Sequence, residues 1–234
     1  MPRMRNTKKQ FTQWLSAADW QARLPDIAAV DGREAAGPLF ALLAHGGDMK
    51  HRAALALGQS VARLADEAPE AARNILRRCM WHMSEESGNI GWGIPEAFAE
   101  ILAHSPRMAA EFHSILVSYI IDTGHEDNFC DNAVLRRSCY WAVGRLAQAR
   151  PDLCARAQGW LARGLHDVDV PCRGMAAWAL GQMPVALETA PLLRRLAQAG
   201  IANVCEVFDG ERVREMGVSA LADAALHNGK GALS

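Results

Sequence analysis

The chain has no excess of either charge. Its 25 Lys and Arg stand against 26 Asp and Glu, a formal net charge of -1 over 234 residues. No global field therefore recruits nucleic acid or an anionic membrane. Long hydrophobic runs are missing too. No window approaches the roughly 18 uninterrupted apolar residues of a bilayer span, so no membrane partner is expected. The opening stretch MPRMRNTKKQFTQWLSAADW is basic but has no apolar stretch behind it, and it does not read as a secretory signal. Cysteine pairs of the C-x-x-C kind are absent. Cys79, Cys130, Cys139, Cys154, Cys172 and Cys205 are scattered. In so apolar a chain they read as reduced, mostly buried thiols of a cytoplasmic protein. The glycine-rich nucleotide motifs and the G-x-S-x-G elbow are also absent, and no Ser-His-Asp or Cys-His set assembles. No catalytic residue, cofactor or metal is assigned.

What is present is repetition. KHRAALALGQ (50–59), LRRSCYWAVGR (135–145) and PCRGMAAWALGQ (171–182) share one pattern, and IPEAFAEIL (94–102) follows it more loosely. Aligned on the small residue after the apolar pair, Gly58, Ala99, Gly144 and Gly181 form one column, with spacings of 41, 45 and 37 residues. Periods of about 40 to 47 residues with helical content indicate two-helix solenoid repeats. The small residues let neighbouring helices approach closely, and larger ones at i+3 and i+4 fill the gaps.

The pattern R-x-x-A-A-x-A-L-G resembles the HEAT-repeat family, in its HEAT-like, PBS-lyase (phycobilin lyase) type. The resemblance covers most of residues 30 to 200, and it is informative on fold but not on function. It implies an all-α, HEAT-like α-α superhelix (solenoid) in a single domain, 1–234. Residues 1–30 are expected to form N-terminal cap helices, 31–200 the repeats, and 201–234 a small β-hairpin plus a terminal helix. Pro69, Pro95, Pro106, Pro151, Pro171 and Pro191 sit where helices would begin, with Ser105, Asp169 and Thr189 as N-caps. Helices are predicted near 6–18, 20–29, 33–44, 48–65, 69–87, 94–103, 106–122, 132–149, 152–163, 170–183, 190–199 and 218–227. In NVCEVFDGERVREM (203–216), Asp-Gly between two runs with alternating Val predicts a type I′ hairpin. A fifth repeat, with Arg214 in the Arg173 column, is the rival reading.

The segment WHMSEESGNIGWGIPE (81–96) departs from the bland helical background. It resembles a segment of uncharacterised bacterial HEAT-repeat proteins, W-x-M-x-E-E-S-G-x-I-G-W-G-x-P-E. In HEAT-like proteins the helix with the repeat motif usually lines the concave face. Carried over column by column, the resemblance implies a groove with Trp92, Trp141 and Trp178 near its middle. Glu96 and Glu100 would flank it on one repeat, and Arg137 and Arg145 on the next. Trp81, His82, Glu85 and Glu86 close the preceding helix, where carboxylates oppose the helix dipole and ligand contact is one reason to keep them. The plainer reading of the glutamates is a solvated surface with internal ion pairs, and that of the tryptophans is packing between repeats.

The same residues bear on other chemistries. Di-iron hydroxylases of HEAT type use repeated His-Glu pairs, whereas this chain has one, His125-Glu126. Alkylpurine DNA glycosylases of similar architecture line a cleft with Trp, Asp and Arg, as Trp92, Asp131, Arg137, Trp141, Arg145 and Trp178 superficially do. The neutral chain and the glutamates argue against a nucleic-acid partner. The favoured expectation is a non-catalytic binding or scaffold protein that recognises a protein or peptide through the groove. The alternative is an enzyme, either such a glycosylase or a lyase-like cofactor or pigment handler. Nothing in the sequence sets the oligomeric state.

Overall fold

The structure is a computed structural model, and it describes residues 2–84, 91–125 and 128–228. It is an all-α, helical-repeat fold of the solenoid class with a small two-stranded hairpin and a helix at its C-terminal end. The chain divides into two compact units, Met1–Phe112 and His113–Ser234.

The first unit holds α1 (Pro2–Ser16), a 3-10 turn at Trp20–Arg23, α2 (Leu24–Ala28), α3 (Gly32–Leu43), α4 (Gly47–Glu67), α5 (Pro69–Met83) and α6 (Ile94–His104). Helix α7 (Pro106–Ser118) crosses the division. The repeat helix α4 packs against α3 on one side and α6 on the other. Its buried face carries Ala53, Ala54, Leu57, Val61, Leu64 and Ala65, the i, i+3, i+4 stripe of an amphipathic helix. Phe11, Leu15, Leu39, Leu42, Phe98 and Ile101 complete this core.

The second unit holds α8 (Ala133–Ala149), α9 (Pro151–Cys154), a 3-10 turn at Ala155–Ala157, α10 (Gln158–Gly164), α11 (Val170–Leu180) and α12 (Ala190–Gln198). Strands β1 (Val204–Phe208) and β2 (Val213–Gly217) follow, then α13 (Val218–Asn228). Here α11 lies between α8 and α13, and α12 backs α13. Strand β1 lies against α11, where a Cβ on Gly174 would stand 2.5 Å from the Cys205 sulfur.

The aligned glycines are contact points between successive repeat helices. A Cβ on Gly58 of α4 would lie 2.7 Å from the Glu100 carbonyl of α6. One on Gly144 of α8 would lie 2.5 Å from the Trp178 ring and 2.8 Å from Ala179 Cα of α11. One on Gly181 would lie 3.0 Å from Ala225 Cα of α13. Real Cβ atoms do not fit at the first two distances, because van der Waals repulsion rises steeply below contact.

Proline starts the helices as the sequence predicts. Pro69, Pro106 and Pro151 are first residues, and Pro95, Pro171 and Pro191 are second residues. There the missing N–H costs nothing, because first-turn N–H groups have no intrahelical acceptor. Ser105 and Asp169 cap as expected, accepting from the N–H of Met108 at 3.3 Å and of Cys172 at 2.9 Å. Thr189 occupies its cap position in helical conformation without a side-chain capping bond.

Four local predictions change, the first being the helix predicted near 20–29, which opens as the 3-10 turn at Trp20–Arg23 before α2. Helix α7 ends at Ser118, short of 122, and the helix predicted over 152–163 is divided by the 3-10 turn at Ala155–Ala157. The hairpin exists, with Phe208 opposite Val213, but its turn is not type I′. That turn needs positive φ at both central residues, and among the described residues no non-glycine has one; Gly210 alone of the pair does, at +98°. The connection is instead a four-residue loop, 209–212. The Asp209 carboxylate accepts from the N–H groups of Glu211 and Arg212, both at 2.9 Å, and pairs with Arg214.

The seam makes opposite predictions at two glycines. Gly144→Ala should destabilise the protein by about 1–3 kcal/mol, the usual cost of overpacking. Gly159→Ala, in a helix with nothing within 4 Å of the new carbon, should stabilise it by about 0.4–1 kcal/mol through the unfolded chain. Urea denaturation of both variants checks the pair of signs.

Candidate functional site

In the first unit the sequence folds tightly around Trp92. Gly91 sits against α5, where a Cβ would be 3.0 Å from the His82 carbonyl oxygen. Gly93 has φ of +76°, and a Cβ there would meet Leu43 Cβ at 2.7 Å. Only glycine meets both the dihedral and the space. The turn then enters α6, whose first-turn Glu96 is 1% exposed and ion-paired to Lys50 Nζ at 2.6 Å. His51 is buried beside this pair. Burial first, and the Lys50 charge second, bring its pKa down to about 4, against smaller opposing effects of Glu96 and Asp48.

Above this buried base Trp92 is 39% exposed. On α5, Trp81 is 57% exposed and lies edge-on to His82 at 5.0 Å. His82 is half-buried and leans on Phe40 at 5.9 Å, while the Arg78 guanidinium covers the Phe40 ring at 4.2 Å. Glu100 is buried, with its carboxylate 3.5 Å from His104 Nδ1. Glu85 and Glu86 lie outside the described residues.

In the second unit Trp141 is buried and stacks parallel on the half-buried Trp178, with centroids 6.0 Å apart and planes within 5°. Arg137 makes a bidentate pair with Asp169, at 2.8 and 2.6 Å. The Arg137 hydrogen bond, with the α11 N–H that Asp169 also caps, holds the Asp169 carboxyl down at about 2. Its neighbour Arg136 is buried and clamps Asp167 at 2.7 and 2.9 Å, while also donating to the carbonyls of Cys130 and Asp131. Arg145 is half-buried.

The structure thus unites Trp141 with Trp178, and sets Trp81 and His82 behind the Trp92 turn. Glu96, Glu100 and Trp141 lie inside the protein rather than on its surface. The reason is packing: the close approach at Gly58 covers Glu100, Lys50 neutralises Glu96, and Trp178 covers Trp141. Lys50, Arg136, Asp167 and Asp169 enter as partners that the repeat columns do not indicate. A signal existed, since DVDVP (167–171) sets two Asp just before a first-turn Pro, one repeat after the Arg136-Arg137 pair.

The second unit also contains a cavity of about 530 Å³, lined by Phe129, Arg136, Tyr140, Trp160, Arg163 and His166 among others. The Arg163 guanidinium stacks over Trp160 at 4.7 Å. Among the described residues no group of three or more His, Cys, Asp or Glu is placed to hold a metal ion.

These features define a helical-repeat protein. No family model matches the chain. It is 31% identical over 100 residues to an uncharacterized protein of Archaeoglobus fulgidus, a match spanning 43% of this chain and 46% of the relative. The chain therefore spans about half the length of that relative. Among solved structures it is similar to a designed armadillo repeat protein, with a TM-score of 0.48 and 18% identity over 94% of this chain and 98% of the other. Computationally designed armadillo repeat proteins for modular peptide recognition give a TM-score of 0.46 and 17% identity over 94% and 98%.

Two measurements check this account. Between pH 6.5 and 4 the folded state binds fewer protons than the unfolded chain, because His51 stays neutral inside. The stability it contributes is fully present above its ordinary value of 6.5 and is lost as pH falls towards 4. Thermal melting should show that decline, and His51→Leu should flatten it. Removing one partner of the buried clamp, as in Arg136→Met, should cost about 3–5 kcal/mol by stranding the Asp167 charge, read by chemical denaturation.

Proposed function

We propose that this protein is a non-catalytic scaffold of HEAT-like repeats that recognises a protein or peptide. The observation that carries the reading is the exposed tryptophan pair of the first unit. Trp92 projects from a turn that glycine geometry and the Lys50–Glu96 pair hold in place. Trp81 stands on the helix that the turn packs against. An aromatic anchor fixed before binding loses little conformational freedom on contact, and Trp is the commonest energetic anchor of binding surfaces. Glu96 and Glu100 act beneath it as supports rather than as direct contacts.

In the second unit the same role falls to Trp178, whose ring Trp141 backs, and to Arg137 and Arg145 beside it in the repeat columns. The six cysteines are buried and free, which suits a reducing compartment such as the cytoplasm.

The test is selection of a random-peptide phage library on the immobilised full chain, followed by titration of the selected peptides. Trp92→Ala and Trp81→Ala should each weaken binding tenfold or more, the effect of losing an anchor of about 2 kcal/mol. Their circular dichroism should stay that of the wild type, because both side chains face solvent. Selected peptides that bind both variants as well as wild type would defeat the proposal. So would tighter binding of a labelled single-stranded oligonucleotide than of any peptide.

A further inference from the structure

The cavity of the second unit is walled by side chains that other contacts already hold. At its back is the Arg136–Asp167 clamp, to which the Tyr140 hydroxyl donates at 3.4 Å. Arg136 also lies over the Phe129 ring, 5.0 Å from its centroid. The end of α10 abuts Tyr140, where a Cβ on Gly164 would stand 2.8 Å from the ring. Trp160 and Arg163 lie three residues apart on α10 and so share a face. With His166 and Asp122 they complete the lining. At about 530 Å³ the space falls in the usual range of small-molecule sites, roughly 300–1,000 Å³.

The charges around this cavity differ in what they are free to do. Arg136 and Asp167 are buried and neutralise each other. Arg163 is exposed, its guanidinium held over the Trp160 ring at 4.7 Å. Among the described residues neither Arg163 nor the exposed His166 has a carboxylate partner. The Asp122 carboxylate accepts the Gly124 N–H at 2.9 Å. A guanidinium held over an aromatic ring keeps its in-plane N–H groups for a second partner, and two of them match a carboxylate. One unpaired guanidinium, with Asp122 on the same cavity, suits a single negative charge and not a polyphosphate. A cationic guest would find Arg163 already over the Trp160 ring. The rings of Phe129, Tyr140 and Trp160 offer edges and faces for a flat guest.

We infer that this cavity binds a small aromatic carboxylate, with the carboxylate on Arg163 and the ring against Phe129, Tyr140 and Trp160. The site lies wholly within the second unit. It shares no residue with the Trp81 and Trp92 surface to which peptide recognition is assigned, so either function can fail without the other. A guest of about ten non-hydrogen atoms, well enclosed, reaches a Kd of about 1 mM or tighter.

The experiment titrates the full chain with benzoate, phenylacetate, cinnamate and naphthoate, read by titration calorimetry and by ligand-observed saturation-transfer NMR. At least one acid should bind with a Kd of about 1 mM or below. Its primary amide and its amine counterpart should bind about tenfold or more weakly, since neither carries the charge that Arg163 takes. Arg163→Gln and Trp160→Leu should each weaken the acid by about tenfold or more. Arg194→Gln, which removes an exposed arginine of α12 outside the cavity, should bind as wild type does. No saturable binding of any of the four acids up to about 10 mM would overturn the inference. So would an amide or amine that binds as tightly as its acid, full affinity in Arg163→Gln, or an equal loss in Arg194→Gln. The comparison of acid with amide is made on the wild type, and it decides the matter even where Trp160→Leu fails to fold.

Discussion

The close approach of successive repeat helices at their small residues is the constraint on which the rest of the molecule depends. At Gly58 and Gly144 the neighbouring helix occupies the space that any other side chain would need. Such an approach maximises dispersion contacts and brings the flanking side chains of two helices within reach of each other. It is why Trp178 comes to lie on Trp141, and why the Glu100 backbone meets Gly58. At the C-terminal end, Gly181 receives Ala225 of α13. The hairpin that precedes α13 lets a helix outside the repeat pattern pack against α11, in the place a further repeat helix would take.

A few charges of this protein are drawn into the packing between helices and paired there. The near-neutral total conceals the Arg136–Asp167 and Arg137–Asp169 pairs and the buried Lys50–Glu96 pair. Both Asp residues lie just before α11, and Asp169 caps it as well. The two arginines of α8 therefore fix where the next repeat helix begins. Buried pairs add little net stability, but each is costly to break singly. Their effect here is positional: they set the register between one repeat and the next, and they hold the base under Trp92.

Much of the fold was legible in the residues. The glycine column, the first-turn prolines and the alternation around Asp209-Gly210 carry local physics that neighbours do not override. The turn type is not legible there, because Asp209 uses its carboxylate to accept two backbone N–H groups, an alternative that a D-G pair does not advertise. The candidate site was less legible. Column alignment ranks residues by position along a helix, and Glu96, Glu100 and Trp141 share columns with more exposed residues. Whether a column position faces solvent depends on what the adjacent helix brings over it, and Lys50, Gly58 and Trp178 lie in other repeats or helices.

By itself the sequence determined the helical-repeat class, the starts of the helices and the small residues of the seams, because periodicity, proline and glycine act over a few residues. Only the tertiary structure decided which charges pair and which tryptophans stay in solvent. Those depend on contacts between side chains roughly 30 to 50 positions apart, whose distances follow from packing and not from spacing along the chain.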